Sequence, residues 1–475
     1  MTSGDLFDAP TKSVTLPKVK LLTMFQLGLF QMGLGMMSVL TLGVINRVMI
    51  DELKVPALIA ALTIAMHQFV APARVLFGQM SDAKPLFGYN RSGYVWLGAA
   101  LAAIASFLAV QVVWRVGFSL QGGVWTTQTS GWVALLALTF ALYGLALSAG
   151  STPFTALLVD VSDEDNRSKL IGTVWSMLMV GIIIGAIMSS GLLKQIALDA
   201  PIEVLQSQIN RLFIIVPAIT FGLCVLSTVG IEKKYSRYNI RSAVANREDK
   251  ITLGQALKVL TANRQTGIFF AFLAVLTLSL FMQDAVLEPY GGEVFKMTIS
   301  ETTKLNAFFG TGTLLGISLT GFLIVPRLGK EKTTKLGCIG VAISMVLIIL
   351  AGTTANQKLL QMTLILFGLA SGVTTTGGLS LMLDLTAAET AGTFVGAWGL
   401  AQAMAKALAT VSGGAVLNLG KALFEDTPVL AYGLVFSTQA LGILVALWLL
   451  GKVNVREFQT NARTAIASVL ESDLD

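Results

Sequence analysis

The chain has 475 residues, of which 54% are hydrophobic and only 13% charged, and its mean hydropathy is +0.74. An ordinary soluble domain carries roughly 25% charged residues, so a soluble enzyme or a nucleic-acid-binding protein is excluded and a polytopic membrane protein is expected. The net charge of +6 then reads as loop asymmetry across a membrane, with no nucleic-acid partner implied.

Residues 1–21 are polar, with no small-residue cleavage site after a short apolar core, which predicts an N-terminal tail and not a cleaved signal peptide. Apolar runs of about 20 residues, the length that crosses a hydrocarbon core near 30 Å thick, then begin near Leu22, Ala57, Tyr94, Trp132, Leu170 and Leu212. A basic linker follows at 231–265, and further runs begin near Gly267, Thr303, Lys335, Leu359, Gly392 and Val429. The expected fold is all-α, with twelve transmembrane helices in two six-helix halves, 22–230 and 266–451. Backbone groups in lipid must be bonded within their own segment, so the spans are helices and not strands. In the tail, 452–475, Val455, Phe458, Ala462, Ile466, Val469 and Leu470 recur at helical spacing and predict an amphipathic helix on the membrane surface or against the bundle. Most of the 33 lysines and arginines fall in loops on one side if both termini are cytoplasmic, which sets the expected orientation.

Polar residues inside spans are few and costly. Gln26 and Gln31 lie in the first; His67, the single histidine, Gln68 and Arg74 lie in the second. Asp284 and Glu288, four apart on one helix face, end the seventh, where a solvated terminus is at least as good a reading as a proton-coupling pair. Lys406 is deep in the eleventh, either snorkelling or pairing with a carboxylate or a ligand carbonyl. Arg74 is expected to pair with Asp82 or Asp160. Gly181-x-x-x-Gly185, Gly312-x-x-x-Gly316 and Gly368-x-x-x-Gly372 predict close helix packing. Trp114, Trp125 and Trp132 fit an interfacial belt. Cys224 and Cys338 sit in apolar runs as buried small hydrophobes.

Two stretches repeat. Asp160 begins DVSDEDNRSKLIGTVW and Asp384 begins DLTAAETAGTFVGAW, each with a glycine twelve residues on and then a tryptophan, Trp175 or Trp398. Two related halves explain this economically, and with the basic linker they point to the major facilitator superfamily. The turn GQMSD, Gly78 to Asp82, followed by Arg91, resembles that superfamily's short loop between helices two and three. A carboxylate beside helix termini and a basic partner is suited to latching the bundle; Arg74, Asp82, Arg91, Asp160, Arg167 and Asp384 are the candidate latch residues. The second-half counterpart, GFLIVPRLGKEK, lacks the aspartate, so the latch is expected to be asymmetric.

The run GVINRVMIDELKVPALIAAL, with FVAPARVLFGQMSD, GYNRSGYVWLG, DVSDEDNRSKLIGTVWSMLMVG and GAWGLAQAMAKALATVSGG, resembles the PucC/LhaA type, or bacteriochlorophyll delivery family, over spans one to five and ten to eleven. The resemblance implies a factor for assembling light-harvesting or photosystem pigment-protein complexes, in a thylakoid or a bacterial inner or intracytoplasmic membrane. It implies chlorophyll or bacteriochlorophyll as ligand, with carotenoid or lipid as further ligands, and as partners membrane lipid, antenna or photosystem subunits, and chlorophyll synthase. This chain departs from the family in a loop, LFGYNRSG, less rich in arginine.

The magnesium of such a pigment takes an axial nitrogen or oxygen ligand. His67 is the candidate, and its bland reading is a hydrogen bond to a neighbouring helix. Gln68, Gln26, Gln31, Trp175, Trp398 and Lys406 complete the candidate pigment-binding residues, although flat aromatic surfaces serve ordinary packing equally well. No nucleotide loop, nucleophile elbow or zinc-type histidine pair is present, so no enzymatic activity is expected. The alternative is a secondary active transporter of a small solute working by alternating access.

Overall fold

The computed structural model describes residues 19–120, 124–162, 164–194, 196–197, 200–236, 264–385 and 391–453. Most of the basic linker, and the tail helix expected from Val455 to Leu470, lie outside the described residues. Among those described the chain is helical, with one isolated bridge between Leu86 and Tyr89.

In the first half, α1 spans Leu21–Glu52, its hydrogen bonding widened to π turns at Val39–Val44 and Val48–Glu52. The second span is two pieces, α2 (Ala57–Phe69) and α3 (Ala73–Ala83). Pro72 offers no N–H and biases Ala71 away from helical angles, so the helix breaks. α4 (Ser92–Leu120), α5 (Thr127–Val161), α6 (Glu164–Leu193) and α7 (Ile202–Thr228) follow. A short α8 (Ile231–Tyr235) leaves α7 at Gly230, whose φ of +74° suits glycine.

The second half opens with α9 (Arg264–Phe281), which gives way to a 3-10 turn at Met282–Ala285 and then α10 (Leu287–Phe295). α11 (Ile299–Leu319), α12 (Lys330–Thr353), α13 (Gln357–Leu385), α14 (Ala391–Leu423) and α15 (Pro428–Gly451) complete it. Among the described residues 10 helices are long and apolar enough to cross a membrane, so this is an integral membrane protein. The second expected span is divided at Pro72 into α2 and α3, and the eighth is α11.

Helix packing follows the small residues. α1 lies against α6, where a Cβ on Gly181 would run into the Met32 carbonyl oxygen; α11 lies against α13, where Gly312 meets the Ile365 carbonyl and Gly368 that of Phe309. With no hydrophobic drive between helices in lipid, such backbone contact supplies the attraction. Across the halves α2 packs on α14 and α6 on α11. Cys224 and Cys338 are buried. Trp114 departs from the expected belt: it is 1% exposed, and its Nε1 donates to Asn210 Oδ1 at 3.1 Å. A polar partner on α7, also bound by Gln111 at 2.9 Å, makes the interior the better place for that indole.

Candidate functional site

The side of the bundle from which α1 starts is the inner side, after the orientation predicted by charge, and the opposite side is the outer. His67 and Gln68 close the last turn of α2 because the chain cannot continue as helix into Pro72; the Ala71 N–H turns back to the Gln68 carbonyl at 3.0 Å. Facing them, α9 breaks at Phe281 and places Asp284 in the 3-10 turn. Both breaks flank α14. Its Gly414 fits against Ala57 and Ala61 of α2 and its Gly413 against Met282, which leaves Lys406 two turns further in. Lys406 Nζ stands 4.0 Å over the Phe281 ring and is within electrostatic reach of Asp284 and Arg74. His67 in turn feels Arg74 and Lys406. His67, Gln68, Asp284 and Lys406 are half-buried and Arg74 is exposed. They line a cleft between the two halves.

The tautomer of His67 follows from its contacts. Nδ1 lies 2.5 Å from the Ile64 carbonyl oxygen, which only accepts, so Nδ1 carries the proton and Nε2 keeps a lone pair. The ring is braced by Tyr143 at 6.1 Å between centroids, and Gly144 of α5 lets the backbones meet at His67. Beside it Gln68 Oε1 is buried without a hydrogen bond. A lone-pair nitrogen and an unsatisfied amide oxygen at the wall of a cleft fit a ligand with a metal centre and polar substituents.

The other candidates are scattered. Gln26 Nε2 donates to the Leu226 and Val229 carbonyls at 2.9 and 3.2 Å, satisfying the free end of α7. Gln31 is buried within α1. Trp175 is 54% exposed. It lies two turns inward of Ile182, whose side chain meets Gly310 of α11. The side chains of Trp398, Asp384 and Arg167 lie outside the described residues. A separate small apolar pocket, between α1, α4, α5 and α7, contains none of these candidates.

Among the described residues the latch candidates Arg91, Asp82 and Asp160 come together, all in the first half. Arg91, 5% exposed, donates from Nε to Asp160 Oδ2 at 3.0 Å and from Nη1 to Asp82 Oδ1 and Ser81 Oγ, both at 2.6 Å. Burial alone would lower the pKa of this guanidinium, but Asp160 and Asp82 outweigh it and hold it above its ordinary value. Arg74, expected to pair with Asp82 or Asp160, forms no ion pair among the described residues; Arg91 takes both carboxylates because it starts α4 directly opposite them. The sequence reading missed Glu232. Its carboxylate accepts the N–H groups of Asn90, Arg91 and Ser92 at 2.7, 3.1 and 2.6 Å, capping α4. The available signal was an acid two residues after the glycine that follows α7.

A second polar cluster seals the outer end. Asn46 Nδ2 donates across the halves to the Ala285 carbonyl at 2.5 Å, and Arg47 Nη2 to that of Met297 at 3.4 Å. Arg47 also pairs with Asp51, and with Glu52 at 3.4 Å. Glu288 is 3% exposed and accepts from Asn306 at 2.5 Å, which corrects the reading of this carboxylate as a solvated terminus. The π turns of α1 and the 3-10 break carry it inward, against Gly43. Ser190 and Ser300 join α6 to α11 at 2.9 Å. These hydrogen bonds from one half to the other all belong to the outer seal.

The PUCC protein family model matches residues 44–458. The chain is 31% identical over 439 residues to the bacteriochlorophyll synthase 44.5 kDa chain of Rhodobacter capsulatus, covering 90% of this chain and 94% of that one. It is 29% identical to protein PucC of the same organism, over 93% of each. Its fold is similar to solved major facilitator structures. The nucleoside transporter NupG superposes with a TM-score of 0.64 at 14% identity, over 91% of this chain and 98% of that one. A bacterial homologue of ferroportin in an inward-facing state gives 0.63 at 14% identity, over 91% and 99%.

Proposed function

This chain belongs to the PUCC protein family, and from that premise we propose that it is an assembly factor of photosynthetic membranes that binds a chlorophyll or bacteriochlorophyll in the central cleft and hands it to nascent antenna or photosystem subunits. The observation that carries the reading is His67. Its Nδ1 proton is committed to Ile64, so Nε2 is left to ligate a magnesium ion at the wall of the cleft. Gln68 Oε1 stands beside it as a further polar contact. Trp175 offers flat apolar surface toward the inner side. The outer seal closes one end, so pigment enters and leaves from the inner side or laterally from the bilayer. The proposed orientation keeps both termini cytoplasmic, and the relative named as a bacteriochlorophyll synthase chain supports a partner that completes the pigment, of the chlorophyll synthase kind.

Purification from a photosynthetic host in mild detergent tests this: a chlorophyll band near one per chain is expected, and His67→Leu removes most of it with the protein still monodisperse. Unchanged pigment in that variant would rule out His67 as the ligand. The second reading, a secondary transporter, is favoured by the outer seal, since a cluster that closes one side could open in alternation. Colourless protein with solute uptake in proteoliposomes would establish it.

A further inference from the structure

We infer that the tight turn from Leu86 to Tyr89, between α3 and α4, is a membrane anchor on the inner side. Phe87 at its tip inserts among anionic lipid headgroups, which Lys84, Lys233 and Lys234 attract. The inference is independent of what the cleft binds.

Backbone conformation carries the first step. The Leu86 N–H donates to the Tyr89 carbonyl at 2.8 Å and the Tyr89 N–H to that of Leu86 at 3.0 Å. Between them Phe87 and Gly88 have φ of +54° and +76°. Positive φ at both central positions defines a type I′ turn, which favours Asn, Asp or Gly. Phenylalanine is strained there because its Cβ crowds the following carbonyl oxygen. Burial does not offset the strain, since Phe87 is 67% exposed. The turn cannot easily relax, because the Leu86 carbonyl lies against Gly93 where a Cβ would collide. The Tyr89 ring meets that of Trp96 edge-on at 5.1 Å, and the Tyr94 hydroxyl stands 3.1 Å from the carbonyls of both Met80 and Lys84. A bulky apolar side chain held rigidly, at a steric cost and uncovered by its own chain, finds its contacts outside the chain.

Depth and charge identify the occupant. The base of the turn belongs to α4, whose uncovered Leu97, Leu101, Ile104 and Leu108 recur at helical spacing as a lipid-facing row. Gly93 lies about 6 Å inward of the start of that row, at 1.5 Å per residue. The headgroup layer on each side of the hydrocarbon core is roughly 5–8 Å deep, so the turn is seated within it. Around the turn the exposed charges are cationic. Lys84 precedes it, Lys233 Nζ stands 4.8 Å over the Tyr89 ring, and Lys234 follows on the same short helix; all three are exposed. Asp82, at the end of α3, is engaged by Arg91. The inner leaflet is the anionic one, and its field attracts lysines held near the surface. An aromatic ring set among lysines at headgroup depth therefore fits a negatively charged lipid surface.

The test compares full-length protein in nanodiscs of phosphatidylcholine and of equimolar phosphatidylcholine and phosphatidylglycerol. Asparagine suits the turn, so Phe87→Asn is expected to fold and to raise the melting temperature in phosphatidylcholine by relieving the strain. In the anionic nanodiscs that gain shrinks or reverses, because the variant gives up the contacts that Phe87 makes with lipid. Photo-crosslinking from p-benzoylphenylalanine at position 87, which keeps the aromatic ring, is expected to give lipid adducts in several-fold higher yield in the anionic nanodiscs. Lys84→Glu combined with Lys233→Glu removes that difference. The same rise for Phe87→Asn in both lipids overturns the inference, and so does a fall in both, which would make Phe87 a packing residue. Adducts to protein in photosynthetic membranes with none to lipid in nanodiscs assign the turn to a partner subunit and overturn the membrane anchor.

Discussion

Replacing Arg91 by alanine should destabilise the first half more than any other single change on the inner side. The residue is 5% exposed and holds two carboxylates of unequal environment: the Asp160 side chain is 10% exposed and that of Asp82 is 58% exposed. An exposed partner contributes little, about 0–1 kcal/mol. Removing one member of a buried ion pair costs roughly 3–5 kcal/mol. Asp160 therefore dominates, and Arg91→Ala should cost about 3 kcal/mol. At roughly 2–4 °C per kcal/mol for a unit of this size, the melting temperature should fall by about 6–12 °C. Cys224 and Cys338, 1% and 0% exposed, provide the assay, because a thiol-reactive fluorophore reaches them only on unfolding. Asp160→Asn should approach the same loss and Asp82→Asn should stay within about 1 kcal/mol. A melting temperature for Arg91→Ala indistinguishable from that of the unaltered protein would refute the assignment of the latch to Arg91 and Asp160.

Two further outcomes concern the packing and the outer seal. Gly312→Leu should abolish monodisperse protein in detergent size-exclusion chromatography, because the new side chain has to displace the Ile365 backbone and a helix cannot yield as a flexible side chain does; Gly222→Leu, with open space at its Cβ, should elute normally. Asn46→Ala should loosen the outer end by removing its 2.5 Å bond to the Ala285 carbonyl, about 1–3 kcal/mol for a buried acceptor left unmade. A cysteine placed at Ala200 should then react several-fold faster with a membrane-impermeant maleimide, and an unchanged rate would mean that the seal rests on other contacts.

Much of the architecture was legible in the residues alone. Bilayer thickness fixes span length, so the ten long apolar helices stand out in composition, as do the Gly-x-x-x-Gly contacts and the buried cysteines. The exceptions share a cause. Trp114 looked like a belt residue because only the fold brings Asn210 of α7 beside it, and Glu288 looked solvated because only the fold lays α1 over it.

The candidate site divides in the same way. Sequence by itself named His67, Gln68, Arg74, Asp284 and Lys406, because a polar residue within an apolar run is conspicuous wherever its neighbours lie. It also named Arg91, Asp82 and Asp160 among six latch candidates. Tertiary structure decided the rest: that Pro72 and the Met282–Ala285 turn break two helices on either side of α14, that Arg91 and not Arg74 takes the inner carboxylates, and that Asn46 and Arg47 reach the other half. Periodicity reports which face of one helix is polar, but the partners of Asn46 and Arg47 lie 239 and 250 residues further along the chain. Only packing brings those together.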